Sequence, residues 1–335
     1  MRILIIRFSS IGDIVLTTPV MRCLNNQIPG AEIHFLTKKA FVPILNNNPY
    51  ISKVWEWDDN EASKILTELK KLKFDFIADL HHNLRSLRVK RALGRPGASF
   101  NKLNIEKFLL VNFKINRLPD IHIVDRYLET VASLGVKNDN KGLDYFIHPE
   151  DEFNIKNLPE SHQEGYIALV PGALHPTKKL PPEKISELCA AISFPVLVLG
   201  GKAEENIGNT LEEKFPHVIN YCGKLNLGGS ASLIRQASAV ITHDTGLMHI
   251  AAAFRKPIIS IWGNTVPQFG MYPYLPEHNS LSVIHEVKNL KCRPCSKIGY
   301  AECPKKHFNC MNQQDIPQIA QDALLAATKL PLSES

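Results

Sequence analysis

The sequence predicts an α/β protein built as two doubly wound halves, each a parallel sheet flanked by helices. Three observations lead there. Short apolar runs of strand length alternate with helically spaced segments along most of the chain. The alternation pauses once, at the polar, proline-containing stretch His148 to Glu164, and then starts again. Strands also hand over to helices through turns of small and polar residues, as at Ser9-Ser10-Ile11-Gly12-Asp13 and Thr242-His243-Asp244-Thr245-Gly246.

In the first half, Arg2 to Arg7 (RILIIR) reads as a strand, and Ile14 to Asn26 carries helical spacing at Ile14, Leu16, Val20 and Leu24. Asp13 stands at that helix start. It reads either as a capping carboxylate, worth about 1 kcal/mol, or as a general base at the carboxyl edge of the first strand; spacing alone favours the cap. Strands are expected at Glu32 to Leu36, Lys53 to Trp57, Phe74 to Leu80 and near Ala98 to Phe100, with helices at Ala40 to Asn46, Glu61 to Leu72 and Leu84 to Leu93. A helix at Val124 to Leu134 and a strand at Leu143 to Ile147 close this half. In the second half, strands at Tyr166 to Val170, Val196 to Leu199, His217 to Asn220, Ala239 to Thr242 and Pro257 to Trp262 alternate with helices at Glu183 to Ile192, Glu204 to Phe215, Ser230 to Gln236 and Leu247 to Phe254. Residues 1–155 and 160–315 are thus expected as two Rossmann-like domains facing a central cleft. In 316–335, a terminal amphipathic helix is expected to cross back to the first.

With 335 residues, 44% of them apolar and 21% charged, the chain has the composition of an ordinary soluble protein large enough for two domains. No apolar run reaches membrane-spanning length, and Arg7 cuts Ile3 to Ile6 too short for a signal-peptide core, so a cytoplasmic location is expected. Cys23, Cys189 and Cys222 stand in apolar or helical contexts, which suits reduced, buried thiols. Residues 1–150 hold 22 Lys and Arg against 16 Asp and Glu, whereas 151–335 hold 17 of each. The excess gathers between Arg85 and Arg117, where Glu106 is the only acid. That run reads as a solvated face or as a surface for an anionic lipid headgroup.

Several features of the second half converge on one sheet edge. A helix opening at Thr245-Gly246 offers unpaired N–H groups and its positive dipole end to a phosphate, with His249 one turn in. Pro171-Gly172-Ala173 forms a backbone-rich loop, and Lys178-Lys179 follow before Pro181, so an ammonium can reach phosphate oxygens. Glu204, after Gly200-Gly201, reads as a plain first-turn acid or as a ribose ligand. The three-glycine dinucleotide fingerprint is missing from both first-strand turns, which argues against an NAD-dependent dehydrogenase. Near the end, Cys292-Arg293-Pro294-Cys295, Cys303, His307 and Cys310 have spacings compatible with a tetrahedral structural zinc site or, alternatively, a loop of free thiols.

Ser9 to Asp13, Pro171-Gly172-Ala173 with Lys178, and Asp244-Thr245-Gly246-Leu247-Met248-His249-Ile250-Ala251-Ala252 together resemble the ordered signatures of the ADP-heptose:lipopolysaccharide heptosyltransferases, glycosyltransferase family 9. The resemblance implies a GT-B fold with an acceptor domain first and a nucleotide-sugar domain second. It implies inverting transfer of a heptose from ADP-heptose to the lipopolysaccharide inner core, with no cofactor required for catalysis. Asp13 matches the catalytic base. Ser10, Lys178, Glu204, Leu225, Asp244, Thr245, Gly246 and His249 match donor-binding positions, while Arg7, Arg85 and Arg88 are candidates for an anionic glycolipid acceptor at the cytoplasmic face of the inner membrane. Two positions depart from the pattern: Arg7 stands where lysine is frequent, and Asn264-Thr265-Val266-Pro267 replaces a Gly-Pro-Thr/Ser segment, which bears on sugar or acceptor selection. A family-9 transferase using another nucleotide sugar and a nucleotide-sugar 2-epimerase are the alternatives. A nucleic-acid binder is disfavoured, because the basic Lys288 to Lys306 stretch has no aromatic interleaving for base stacking.

Overall fold

The structure, a computed structural model, describes residues 1–329. The chain divides into two compact units: Met1–Leu103 with Asp120–Phe146, and Asn104–Pro119 with the chain from Ile147 onward.

The first unit is built on five parallel strands: β1 (Arg2–Ile6), β2 (Glu32–Lys38), β3 (Lys53–Trp57), β4 (Phe76–Asp79) and β5 (Gly97–Ser99), in the order β3-β2-β1-β4-β5. β1 is central, and Ile3, Leu4, Ile5 and Ile6 are all buried. A strand covered on both faces needs such a continuous apolar run rather than an alternating one. The chain winds outward from β1 to β3, then returns to β4 on the other side of β1. The crevice between the carboxyl ends of β1 and β4 is therefore the topological switch point of this sheet, where α/β sheets present ligands. The helix Leu84–Leu93 has well-defined ends: Asn83 and Ser86 cap each other reciprocally, and Gly94 closes it in the left-handed conformation.

The second unit has six parallel strands: β6 (Ile167–Val170), β7 (Val196–Val198), β8 (Val218–Asn220), β9 (Ala239–His243), β10 (Ile258–Trp262) and β11 (Ser282–Glu286), ordered β11-β10-β9-β6-β7-β8. Its switch point falls between β6 and β9, which pair directly. Ile167, Leu169, Val196, Val198, Ile241, Ile259 and Ile261 belong to one core with Leu188 and Cys189.

The structure corrects several expectations. No strand forms at 143–147; there the backbone N–H of Asp144 donates to the Thr18 hydroxyl instead of to a sheet neighbour. β11 was not anticipated, because half-exposed Ser282–Glu286 lacks an apolar run. The basic segment contains a helix, Asn104–Phe113, that belongs to the second unit, where Leu110 packs on Val266 and Phe269. The terminal helix, Ile316–Lys329, buries Ile316, Ile319, Ala320, Ala323 and Ala327 in the second unit's core. Its apolar face is thus occupied there, and residues 330–335 of the expected crossing segment lie outside the described residues.

Candidate active site

At the β1 end of the first switch point, the chain leaves the sheet through Arg7 and Phe8 and enters a short helix, Ile11–Val15. Arg7 is buried and fully engaged. Its Nε donates to the Ser9 carbonyl (2.7 Å), and Nη1 donates to the Leu80 carbonyl (2.6 Å) and the Tyr127 hydroxyl (2.9 Å). Its Nη2 pairs with Asp13 Oδ1 at 2.7 Å. Burial opposes the charge on Arg7, but Asp13, Tyr127 and Asp79 together outweigh it, so the guanidinium lies above its ordinary pKa. Asp13 Oδ2 accepts from the Ser10 hydroxyl (2.8 Å) and backbone N–H (3.2 Å). Asp13 is therefore a first-turn cap, and at 18% side-chain exposure it is also a carboxylate open to solvent at the strand's carboxyl end.

Across the switch point, buried Asp79 ends β4 and gathers four donors. Its Oδ1 accepts from the backbone N–H groups of His81 (3.0 Å) and His82 (2.7 Å), and its Oδ2 from the hydroxyls of Ser86 (2.9 Å) and Ser99 (3.1 Å). His81 lies edge-on to Phe8 at 5.3 Å. Burial, helped by Arg7 and Lys102, holds its pKa down at about 4, so it is neutral near pH 7. Asp79, His81 and Tyr127 were missed from sequence; the one available signal was a carboxylate and two histidines directly after an apolar strand. Arg85 makes a two-point contact to Asp59, with both distances 2.8 Å, and lies 5.4 Å over Phe8, while Arg88 is exposed. Of the three proposed acceptor cations, Arg7 is buried, Arg85 is partly exposed and paired with Asp59, and Arg88 is exposed.

The second switch point gathers most of the expected donor residues. Lys178 Nζ pairs with Asp244 Oδ2 at 2.6 Å, and the Thr265 hydroxyl donates to the same oxygen at 3.0 Å. Lys179 Nζ pairs with Glu204 Oε1 at 2.7 Å. Glu204 lies against two glycines. A Cβ at Gly172 would stand 2.9 Å from its Cδ, and one at Gly200 would stand 2.9 Å from its Cβ. Glycine at both places is what lets the carboxylate enter between the β6 and β7 loops. Thr245 is the N-cap of Gly246–Ala253, a helix whose first N–H groups face this edge of the sheet. His249 is buried inside that helix, 2% exposed, rather than open to solvent. Leu225 is half-buried beside Gly229, one turn into the next helix. His243, at the end of β9, accepts the Leu180 N–H at Nε2 (3.0 Å), which leaves its proton on Nδ1. Burial first, then Lys179, keeps its pKa at about 4. Lys179 is read from sequence beside Lys178, and His243 and Thr265 are added to that set.

The cysteine-rich loop supports this edge. Tyr300 N–H donates to the Thr177 hydroxyl (2.8 Å), next to Lys178, and Arg293 donates to the Gly263 (2.5 Å) and Thr265 (2.9 Å) carbonyls. Cys292, Cys295, Cys303 and Cys310 do not build the expected zinc site. Among the described residues no three His, Cys, Asp or Glu side chains are arranged to hold a metal. Cys295 Sγ donates to the Cys292 carbonyl, and Cys310 is buried with Met311 in the apolar core.

Each unit is a parallel sheet with polar side chains at its switch point, and the second adds a helix N-terminus beside Lys178 and Lys179. The same architecture appears in Escherichia coli ADP-heptose lipopolysaccharide heptosyltransferase II, at a TM-score of 0.72 and 19% identity over 98% of each chain. It appears again in an E. coli heptosyltransferase solved with ADP, at a TM-score of 0.65 and 22% identity over 85% of this chain and 92% of that one. The model of glycosyltransferase family 9 (heptosyltransferase) matches residues 62–302, and the chain belongs to that family. It is 25% identical to lipooligosaccharide heptosyltransferase 2 of Haemophilus influenzae over 331 residues, covering 89% of this chain and 93% of that protein. It is also 25% identical to lipopolysaccharide heptosyltransferase 1 of Pseudomonas aeruginosa over 361 residues, covering 98% and 97%.

Proposed function

We propose that this enzyme transfers a heptose from ADP-heptose to a hydroxyl of the lipopolysaccharide inner core, with inversion and without a metal in the chemical step. The observation that carries the reading is the pair of lysine–carboxylate contacts, Lys178–Asp244 and Lys179–Glu204, beside the open N-terminus of Gly246–Ala253. In this reading Lys178 and the helix N-terminus take up the charge that grows on the departing diphosphate. Glu204, seated between Gly172 and Gly200, accepts from ribose hydroxyls, and Asp244 accepts from sugar hydroxyls. Asp13 removes the proton of the attacking acceptor hydroxyl, a contribution of roughly 10² to 10⁴ in rate. Arg7 and Ser10 hold that carboxylate in place.

The choice of heptose and of the inner core follows the names of the relatives, and the altered 264–267 segment favours testing other ADP-sugars beside it. Thermal stabilisation by a panel of ADP-, UDP- and GDP-sugars tests the donor, since a ligand that binds only the native state raises apparent stability by mass action. Preference for ADP-heptose is expected, and a UDP-sugar preference would overturn it. Omitting the acceptor separates transfer from epimerisation.

A peripheral membrane contact completes the proposal. No described helix is long and apolar enough to cross a membrane. Yet Ile105 (73%), Phe108 (53%) and Phe113 (61%) are exposed around the helix Asn104–Phe113, within the basic run. An apolar surface with a cationic surround suits the headgroup boundary of an anionic bilayer. Binding to vesicles containing anionic lipid should be lost in Phe108→Ser with Phe113→Ser, and unchanged binding would sink the assignment.

A further inference from the structure

Asn264 stands directly after β10 and next to Thr265, the residue whose hydroxyl reaches Asp244. It is only 2% exposed, yet neither Nδ2 nor Oδ1 of its carboxamide has a hydrogen-bond partner among the described residues. Buried polar atoms are almost always paired, and an amide unpaired at both ends is a feature that a purely structural role does not explain. Its backbone, by contrast, is firmly held. The Asn264 carbonyl accepts from Cys295 N–H (3.1 Å), and Arg293 binds the carbonyls on either side of it. The opposite face of Arg293 is anchored by Glu286 at 2.7 Å. The backbone that carries this side chain is therefore a fixed support.

The chemistry of the amide narrows the ligand. Nδ2 donates and Oδ1 accepts, so a group that satisfies both must itself accept and donate. A phosphate oxygen would meet Nδ2 and leave Oδ1 facing negative charge. A sugar hydroxyl, or a neighbouring pair of them, meets both. From this we infer that Asn264 is a specificity residue that reads hydroxyls on the glycosyl group of the donor, beside Asp244 and Thr265. The inference rests on the proposed transfer from ADP-heptose and adds to it the side chain that inspects the sugar.

The test compares the wild type with Asn264→Leu, which removes both polar atoms at similar volume, and Asn264→Asp, which keeps only the acceptor. Binding of ADP, which has no sugar at the transferred position, is measured beside kcat/KM for ADP-heptose. In Asn264→Leu, kcat/KM should fall by about tenfold to a hundredfold while ADP affinity stays within about twofold, because the loss concerns hydroxyls that ADP lacks. Asn264→Asp should lie between. Should Asn264→Leu fold poorly, mono-deoxy analogues of ADP-heptose give the same answer. One of them should lose about tenfold with the wild type and little with Asn264→Asp. Equal losses for ADP and ADP-heptose, or no loss for either in an active enzyme, would overturn the inference and leave the transferase reading standing. A wild-type enzyme that neither binds nor uses ADP-heptose would overturn both.

Discussion

Arg7 and Asp13 are joined by an ion pair at 2.7 Å, and their substitutions should be read together. Asp13→Asn keeps the shape and can still accept from Ser10, so it should fold and bind nucleotide, while transfer falls by roughly 10² to 10⁴; unaltered turnover in a steady-state assay would remove the base assignment. Arg7→Lys supplies the charge without the fork that reaches Ser9, Leu80, Tyr127 and Asp13 at once. It should leave buried carbonyls unmet and lower the melting temperature as well as the rate. Gly172→Ala places a methyl 2.9 Å from Glu204 Cδ and should displace that carboxylate. Nucleotide affinity is expected to weaken by about tenfold, roughly 1.4 kcal/mol, measurable by calorimetry with ADP. These positions differ in how readable they were. Asp13, Lys178, Glu204 and Asp244 follow strands in sequence and could be named from it. Asp79 had only the weak signal of following an apolar strand, and Thr265 owes its place to the pairing of β9 and β10, which no local pattern displays.

Among the elements, those with strong periodicity were legible and those whose surroundings decide them were not. RILII and AVITH announce central strands, because burial on both faces demands continuous apolar runs. β11 is a half-exposed edge strand, and Asn104–Phe113 is a helix whose apolar residues point largely to solvent, so neither shows the expected pattern. The cysteine-rich loop illustrates the same limit. Its spacing suggested a metal, whereas its hydrogen bonds show a brace for the loops carrying Lys178 and Asn264. Thr177→Val should remove the hydroxyl that accepts from Tyr300 N–H and also donates to the Tyr300 carbonyl at 3.0 Å. The expected outcome is a weaker hold on ADP with the fold retained, seen as a higher Kd with an unchanged circular dichroism spectrum.

For the whole molecule, acid is the condition to which stability should respond most. His81 and His243 each sit at about 4 against an ordinary 6.5, because burial disfavours their charged forms. The unfolded chain binds these protons first, so stability is fully present above about pH 6.5 and declines as pH falls toward 4, with each histidine contributing a slope of at most about 1.4 kcal/mol for every step of one in pH. Denaturant midpoints measured between pH 7 and 4.5 should show this decline, and a His81→Gln, His243→Gln double variant should flatten it. The basic surplus of the first 150 residues does not extend to the proposed donor site, where Lys178 and Lys179 each have an acidic companion within 2.7 Å. An incoming diphosphate meets a locally balanced set of charges and must exchange partners with Asp244 and Glu204, so little long-range attraction draws it in. Donor capture should accordingly be nearly insensitive to ionic strength, with selectivity arising only once the nucleotide is already at close range.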